Sequence, residues 1–185
     1  MRFPSLAQIV GLSSMQMVAQ PTPATPYAPA LLGQGYTAGL QLASMDRLPP
    51  NRRANILHML VEALAYINEQ WLEENGAPSL YSVAPSYQLK VRPMQIDLWA
   101  DIPTVMAQGG GDCKDFTAWR IAELRRAGQA MVVPEIRYLP QLLPTGETVH
   151  LWHVLVRQGA KTEDPSLLLG MPTRVSPGVL RGVFR

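Results

Sequence analysis

The feature that most limits the fold of this chain is a change in hydrophobic periodicity in its second half. Apolar residues first recur at steps of three and four, in segments 51–75 and 112–127, and this spacing is typical of amphipathic helices. From residue 130 onward they form short runs instead, at 131–133, 135–139 and 149–156, which is typical of strands. Helices that lead into an antiparallel sheet predict an α+β fold.

Both predicted helices carry sequence signals at their ends. The stripe of the first comprises Leu57, Leu60, Leu64, Ile67 and Trp71. Gly76 ends that helix, since glycine readily adopts the left-handed conformation found there. The second begins at Asp112, whose side chain can cap it, and ends near Arg125 and Arg126, which suit the negative end of the helix dipole. We interpret His58, beside the first stripe, as structural.

Residues 1–50 differ from the rest in composition. They contain seven prolines and few charged residues, and proline at this density favours an extended, polyproline-like chain. We therefore predict a Pro-rich extended N-terminal arm over 1–50 and one domain over 51–185. The apolar side chains of the arm suit packing on its own domain or on an assembly partner, and a leader without fixed structure is the alternative.

Charge and hydropathy exclude several classes of function. The net charge is +2 and no run of five Lys or Arg occurs, so nucleic acid is not an expected partner. No segment approaches the roughly 18–20 apolar residues of a membrane span, and the N-terminus lacks a convincing signal peptide. We expect a cytoplasmic or virion-associated protein. Since Cys113 is the single cysteine, a disulfide framework and a multi-cysteine zinc site are excluded, and no metal or cofactor is implied.

Cys113 lies where a thiol can become reactive. It follows Gly109-Gly110-Gly111-Asp112 at the start of the second helix, where unpaired N–H groups and the helix dipole favour a thiolate. The glycines also leave the approach to the sulfur open. The alternative is structural, because Cys113 heads an apolar stripe with Thr117, Ile121 and Leu124.

A reactive cysteine needs a base, and the base needs an orienting partner. Strand alternation places His150 and His153 on opposite faces, so at most one is expected to meet the thiol. A two-residue turn at 158–159 would set His153 opposite Asp164 and His150 opposite Leu167. This register favours His153 as the base, with Asp164 as its orienting partner. The alternatives are a histidine that packs on the sheet and an aspartate that ends a strand.

These residues also carry a family resemblance. The segments are Gly111–Phe116, Glu123–Gly128, the strand around His153, and Glu163-Asp164-Pro165. Together they resemble the transglutaminase-like (papain-like) cysteine peptidase superfamily, in its small phage and bacterial form, over about residues 100–170. The resemblance implies a central helix that carries the cysteine at its N-terminus and packs on a small antiparallel sheet.

The resemblance also implies roles for individual residues. Cys113 would be the nucleophile, His153 the general base and Asp164 the orienting acid. His150-Leu151-Trp152 also imitates the histidine strand of the family, so His150 stays the alternative base. The oxyanion would be bound by the backbone N–H of Cys113 and an upstream donor, for which Trp99 and Gln108 are the candidates; a packing or surface role is the alternative for both.

The expected function is that of a thiol-dependent amide hydrolase, a cysteine peptidase or amidase that acts on a protein or peptide through a thioester intermediate. Transfer of the acyl group to an amine would make the protein a crosslinking acyltransferase. The rival hypothesis is a structural or assembly component of a phage-like particle that keeps the fold. Phage is suggested by the resemblance alone.

Overall fold

The computed structural model describes residues 15–18, 37–41, 48–76, 78–88, 96–142 and 148–172. It combines helices with small sheets around a central helix, so the predicted mixture of α and β structure is confirmed. The helices in these ranges are α1 (Pro50–Asn75), α2 (Leu80–Val83), α3 (Ile102–Gln108), α4 (Cys113–Arg126) and α5 (Pro165–Leu168). The strands are β1 (Met15–Val18), β2 (Thr37–Gln41), β3 (Ser86–Tyr87), β4 (Ile96–Ala100), β5 (Gly110–Gly111), β6 (Val132–Leu142), β7 (Thr148–Gln158) and β8 (Lys161–Glu163).

Helix α1 confirms the first predicted helix and corrects its stripe at one position. Gly76 ends it in the left-handed conformation, at φ 57°, and donates its N–H to the carbonyl of Leu72. Leu57, Leu60 and Leu64 are buried as predicted. Ile67 is 44% exposed, and Asn68 takes the buried position instead because its Oδ1 accepts the N–H of Ile102, at 3.0 Å.

Helix α4 is the central helix, and it also confirms its prediction. The side chain of Asp112 accepts the N–H of Lys114 while Asp115 accepts the N–H of Asp112, which forms a reciprocal capping box. Ile121 packs on one side in a cluster with α1 and the strands β6 and β7. Trp119 packs on the other side in a second cluster with α2 and α3. Burial on both sides fixes α4 firmly in the molecule.

The main sheet is antiparallel, in the order β6-β7-β8. The sequence predicted two short strands here, at 131–133 and 135–139. The structure has one continuous strand, β6, which contains Pro134 and Pro140. Strand β6 is an edge strand, and two prolines an even number of residues apart direct their nitrogens to the same lateral side. Proline is tolerated at an edge because no ladder hydrogen bond is lost on the outer side.

Part of the predicted arm belongs to a second antiparallel sheet, in the order β1-β2-β4. Thr37 pairs with Ala100 and Gln41 with Ile96. Residues 15–18 and 37–41 are therefore strands rather than polyproline-like chain. Residues 1–14, 19–36 and 42–47 lie outside the described residues, and the boundary at residue 50 stays a prediction.

The remaining elements are short. Strand β3 pairs in parallel with β5, which directly precedes the start of α4. Helix α3 is capped by Asp101, whose side chain accepts the N–H of Thr104. Helix α5 is a single short helix that directly follows Asp164. Among the described residues, no helix has the length and apolar character to span a membrane.

Candidate active site

Cys113 is the first residue of α4, directly after the capping residue Asp112. Its side chain is half-buried and packs against the buried cluster that contains Leu57, Trp99 and Val154. A sulfur in the first turn lies beside the positive end of the helix dipole, which stabilises a thiolate.

The glycines before Cys113 allow a tight turn and a close approach of other segments to the backbone. Gly109 ends α3 in the left-handed conformation, at φ 67°. A Cβ on Gly110 would lie 2.7 Å from the carbonyl oxygen of Ser86, and a Cβ on Gly111 would lie 2.8 Å from the ring of Phe116. Both contacts are too close for a side chain, so these glycines let β3 and Phe116 approach the backbone. That they also leave the approach to the sulfur open stays a prediction.

His153 and Asp164 are in direct contact. Their atoms Nε2 and Oδ2 are 2.8 Å apart, and the other carboxylate oxygen, Oδ1, accepts the N–H of Leu167 at 3.1 Å. The two side chains are only 13% and 21% exposed. Because an ionised carboxylate can only accept, we assign the ring proton to Nε2, and this leaves Nδ1 as the basic nitrogen. The predicted contact is confirmed, and its catalytic role stays a prediction.

The contact was predicted correctly from a turn that was wrong. The observed turn is Gly159-Ala160, since Gln158 pairs with Lys161 and Val156 with Glu163. The observed register is therefore shifted by two residues from the predicted one. A shift of two keeps every side chain on the same face, and diagonal neighbours remain within reach of long side chains. His150 is opposite Pro140, and its side chain lies outside the described residues.

Helix α4 runs along the edge of β7 on the side of β8. The hydroxyl of Thr117 donates to the carbonyl oxygen of Val154 at 3.0 Å, two residues before the point where β8 starts to pair. Farther along the helix, Arg120 Nε donates to Glu163 Oε1 at 2.8 Å, and Glu163 is opposite Val156. The helix and the strand therefore run side by side in the same direction.

These two contacts give the level of Cys113 along β7. Cys113 is one turn, about 6 Å, before Thr117 on the same helix face, and about 6 Å is two residues of strand. Cys113 is therefore level with Trp152 and His153. Val154 packs in the core, so alternation directs His153 to the other face of the sheet. That the thiol of Cys113 meets this imidazole stays a prediction.

Of the two candidate oxyanion donors, Trp99 has the better placement. It is 3% exposed, and its indole Nε1 finds no hydrogen-bond partner among the described residues. A buried donor without a partner is costly, and the use of this N–H for an oxyanion stays a prediction. Asp115 fixes the adjacent backbone, because its Oδ1 accepts the N–H of Ala100 at 2.9 Å. Gln108 is exposed at the last position of α3.

A buried ion pair adjoins the thiol. The ammonium group of Lys114 contacts Asp112 Oδ2 and lies 5.6 Å from the centre of the Trp99 ring. Both charged residues are at most 5% exposed. The positive charge of Lys114 therefore lies between the start of α4 and Trp99, in a region where solvent screens it weakly.

Tyr87 belongs to the site and was missed in the sequence. Its backbone is paired opposite Gly111 and donates its N–H to the carbonyl of Leu169 at 3.1 Å, so it joins the segment before Cys113 to the one after Asp164. Burial raises the pKa of Tyr87, and negative charge on Cys113, Asp112 and Asp164 raises it further, against the opposing effect of Lys114. The phenol therefore senses both Cys113 and Asp164. A tyrosine in a weakly alternating segment gave no signal of this role.

No family model, curated protein or solved structure matches this chain. Its function must be argued from the geometry of these side chains. Of the predicted residues, His153 and Asp164 are in contact, Cys113 and Trp99 share one cluster, and Gln108 is exposed.

Proposed function

We propose that this protein is a thiol-dependent amide hydrolase that acts on a peptide or protein through Cys113, His153 and Asp164. The observation that carries the proposal is the contact between His153 Nε2 and Asp164 Oδ2. This hydrogen bond orients the imidazole and leaves Nδ1 as its basic nitrogen. Cys113, the first residue of the capped helix α4, is at the same level along β7. A nucleophile, a base and a group that orients the base are the requirements of this chemistry.

The first half of the reaction forms a thioester. His153 Nδ1 accepts the thiol proton of Cys113, and the thiolate attacks the carbonyl carbon of the amide. The backbone N–H of Cys113 and the indole N–H of Trp99 donate to the developing oxyanion. Nδ1–H then protonates the leaving amine as the carbon–nitrogen bond breaks.

The second half releases the acyl group. His153 Nδ1 removes a proton from water, which attacks the thioester, and the thiolate leaves with the acid as second product. An amine in place of water would give a new amide, so the same site could transfer the acyl group. Asp164 stays ionised throughout and stabilises the imidazolium that forms after each proton transfer.

Alkylation of the thiol across pH tests the proposal. An ordinary thiol titrates at about pH 8.5, so we expect the wild-type protein to react with iodoacetamide well below that pH. His153→Ala should move the reactive range toward the ordinary value. His58→Ala is the matched control, because that histidine is half-exposed on α1, and it should behave as wild type. Equal profiles for wild type and His153→Ala would reject the proposal and favour a structural role.

A further inference from the structure

Glu163, the residue before Asp164, accepts three hydrogen bonds. Its carboxylate accepts the hydroxyl of Tyr81 and two N–H groups of Arg120, from Nε at 2.8 Å and from Nη2 at 3.5 Å. A two-pronged guanidinium–carboxylate contact fixes direction as well as distance. Glu163 is therefore held to α4 by its side chain, immediately before the proposed acid.

The partners of Glu163 are themselves fixed. Arg120 Nη1 donates to Glu123 Oε2 at 3.0 Å, and the guanidinium lies 5.1 Å from the centre of the Tyr81 ring. Glu123 also accepts the N–H of Leu80. We call Tyr81, Arg120, Glu123 and Glu163 the Arg120 cluster; it ties α2, α4 and β8 together.

The cluster is partly removed from solvent, unlike an ion pair on the open surface. The side chain of Arg120 is 23% exposed and that of Glu163 is 30% exposed. Burial raises the pKa of Glu123 against the opposing effect of Arg120, and burial together with Glu163 raises the pKa of Tyr81. Partly desolvated, networked charges are screened less than isolated surface pairs.

Strand β8 needs such an anchor. It has three residues, of which Lys161 and Thr162 are exposed, and so short a strand gains little stability from pairing alone. Arg120 is seven residues from Cys113, so both lie on nearly the same face of α4. The helix is thus a rigid connection between the thiol and the residue that precedes the acid.

We propose that Glu163, held by Arg120, is a positioning residue that sets the carboxylate of Asp164 against His153. This role rests on the proposed function, since it concerns the same three residues. A glutamate that only stabilised the fold would change the free energy of unfolding and leave the His153–Asp164 hydrogen bond in place.

The Nε2–H proton of His153 gives a readout that does not depend on thiol chemistry. In wild type we expect its NMR signal to be shifted downfield and slow to exchange, because the proton is shared with Asp164. Glu163→Ala should broaden or remove this signal in a protein that remains folded by circular dichroism. Glu163→Gln keeps an acceptor for Arg120 and should restore most of it. Glu69→Ala is the control, since Glu69 forms a 3.1 Å ion pair with Arg125 at the C-terminal end of α4.

A double-mutant cycle adds the functional readout. Glu163→Ala should lower the rate of alkylation at neutral pH by about tenfold when Asp164 is present and cause no further loss in the Asp164→Asn background. If the two losses multiply, or if the Nε2–H signal survives in Glu163→Ala, the positioning role is wrong. If Glu163→Ala does not fold, Arg120→Lys takes its place in the cycle, because lysine cannot form the two-pronged contact with Glu163. A Glu163-dependent signal in a protein with an ordinary thiol would instead reject the proposed function alone.

Discussion

At the scale of single residues, Asp164 shows how one side chain serves fold and site together. One oxygen accepts the N–H of Leu167 and so caps α5, while the other contacts His153. A rotation of the carboxylate that changed its contact with His153 would therefore break its contact with Leu167. The cap therefore aligns the carboxylate, as a partner behind a reactive group commonly does.

Asp164→Asn should separate these two tasks. An amide oxygen can still cap α5, but the amide NH₂ would then face His153 and donate to Nε2, which moves the ring proton to Nδ1. We expect little change in thermal stability and a loss of about 100-fold or more in the rate of alkylation at neutral pH. Asp164→Ala should lose the same reactivity and also about 1 kcal/mol of stability with the cap. Wild-type reactivity in Asp164→Asn would contradict the assigned tautomer.

At the scale of elements, the alignment of α4 with β7 depends on Thr117. Its hydroxyl reaches a backbone carbonyl at the edge of the sheet, and this contact sets which residue of β7 is level with Cys113. Thr117 is fully buried, so water does not replace a lost donor there.

Thr117→Val tests this alignment, because valine has almost the same shape without the hydroxyl. We expect the variant to lose about 1–3 kcal/mol of stability, since the carbonyl of Val154 is left without this donor. Urea denaturation measures the loss, and alkylation should slow as the helix shifts. The control is Thr162→Val, whose hydroxyl makes an exposed 3.3 Å contact with Glu135 and should cost under about 0.5 kcal/mol. Equal costs for the two variants would contradict the alignment.

The helices could be predicted from the sequence because their signals are local. The Asp112 cap and Gly76 act within one turn of chain, and both helix ends were confirmed. The stripe of α1 was wrong at Ile67 because a tertiary hydrogen bond draws Asn68 inward. No local pattern reports a partner 34 residues away.

Part of the site could also be predicted from the sequence. The pairing of His153 with Asp164 was found because the turn error moved the register by an even number of residues. Tyr87 and the Arg120 cluster depend on contacts between distant segments, and neither has a sequence signature. The close approach of β3 to Gly110 is a contact of the same kind.

At the scale of the whole molecule, two half-buried tyrosines link stability to alkaline pH. Burial is the largest cause that raises the pKa of Tyr81 and of Tyr87 above the ordinary 10.0. A raised pKa means that the folded state keeps protons which the unfolded chain releases. Their stabilising effect is therefore complete below about pH 10 and is lost as the pH rises above it.

Tyr81→Phe and Tyr87→Phe should each flatten this alkaline decline. Urea midpoints between about pH 8 and pH 11 measure it, and wild type should lose stability over that range faster than either variant. Tyr66→Phe is the control, because Tyr66 is 62% exposed, and its decline should match wild type. A decline of the same slope in all four proteins would contradict the raised pKa of Tyr81 and Tyr87.

The central claim is that Cys113 and His153 act together in acyl transfer. Its most direct test is the rate at which Cys113 acquires a thioester from an activated acyl donor such as p-nitrophenyl acetate, measured near neutral pH by intact mass and peptide mapping. We expect rapid acylation of Cys113 in wild type and in His58→Ala, at least about 100-fold slower acylation in His153→Ala, and none at this site in Cys113→Ala. Acylation of Cys113 at the same rate with and without the His153 imidazole would contradict the account.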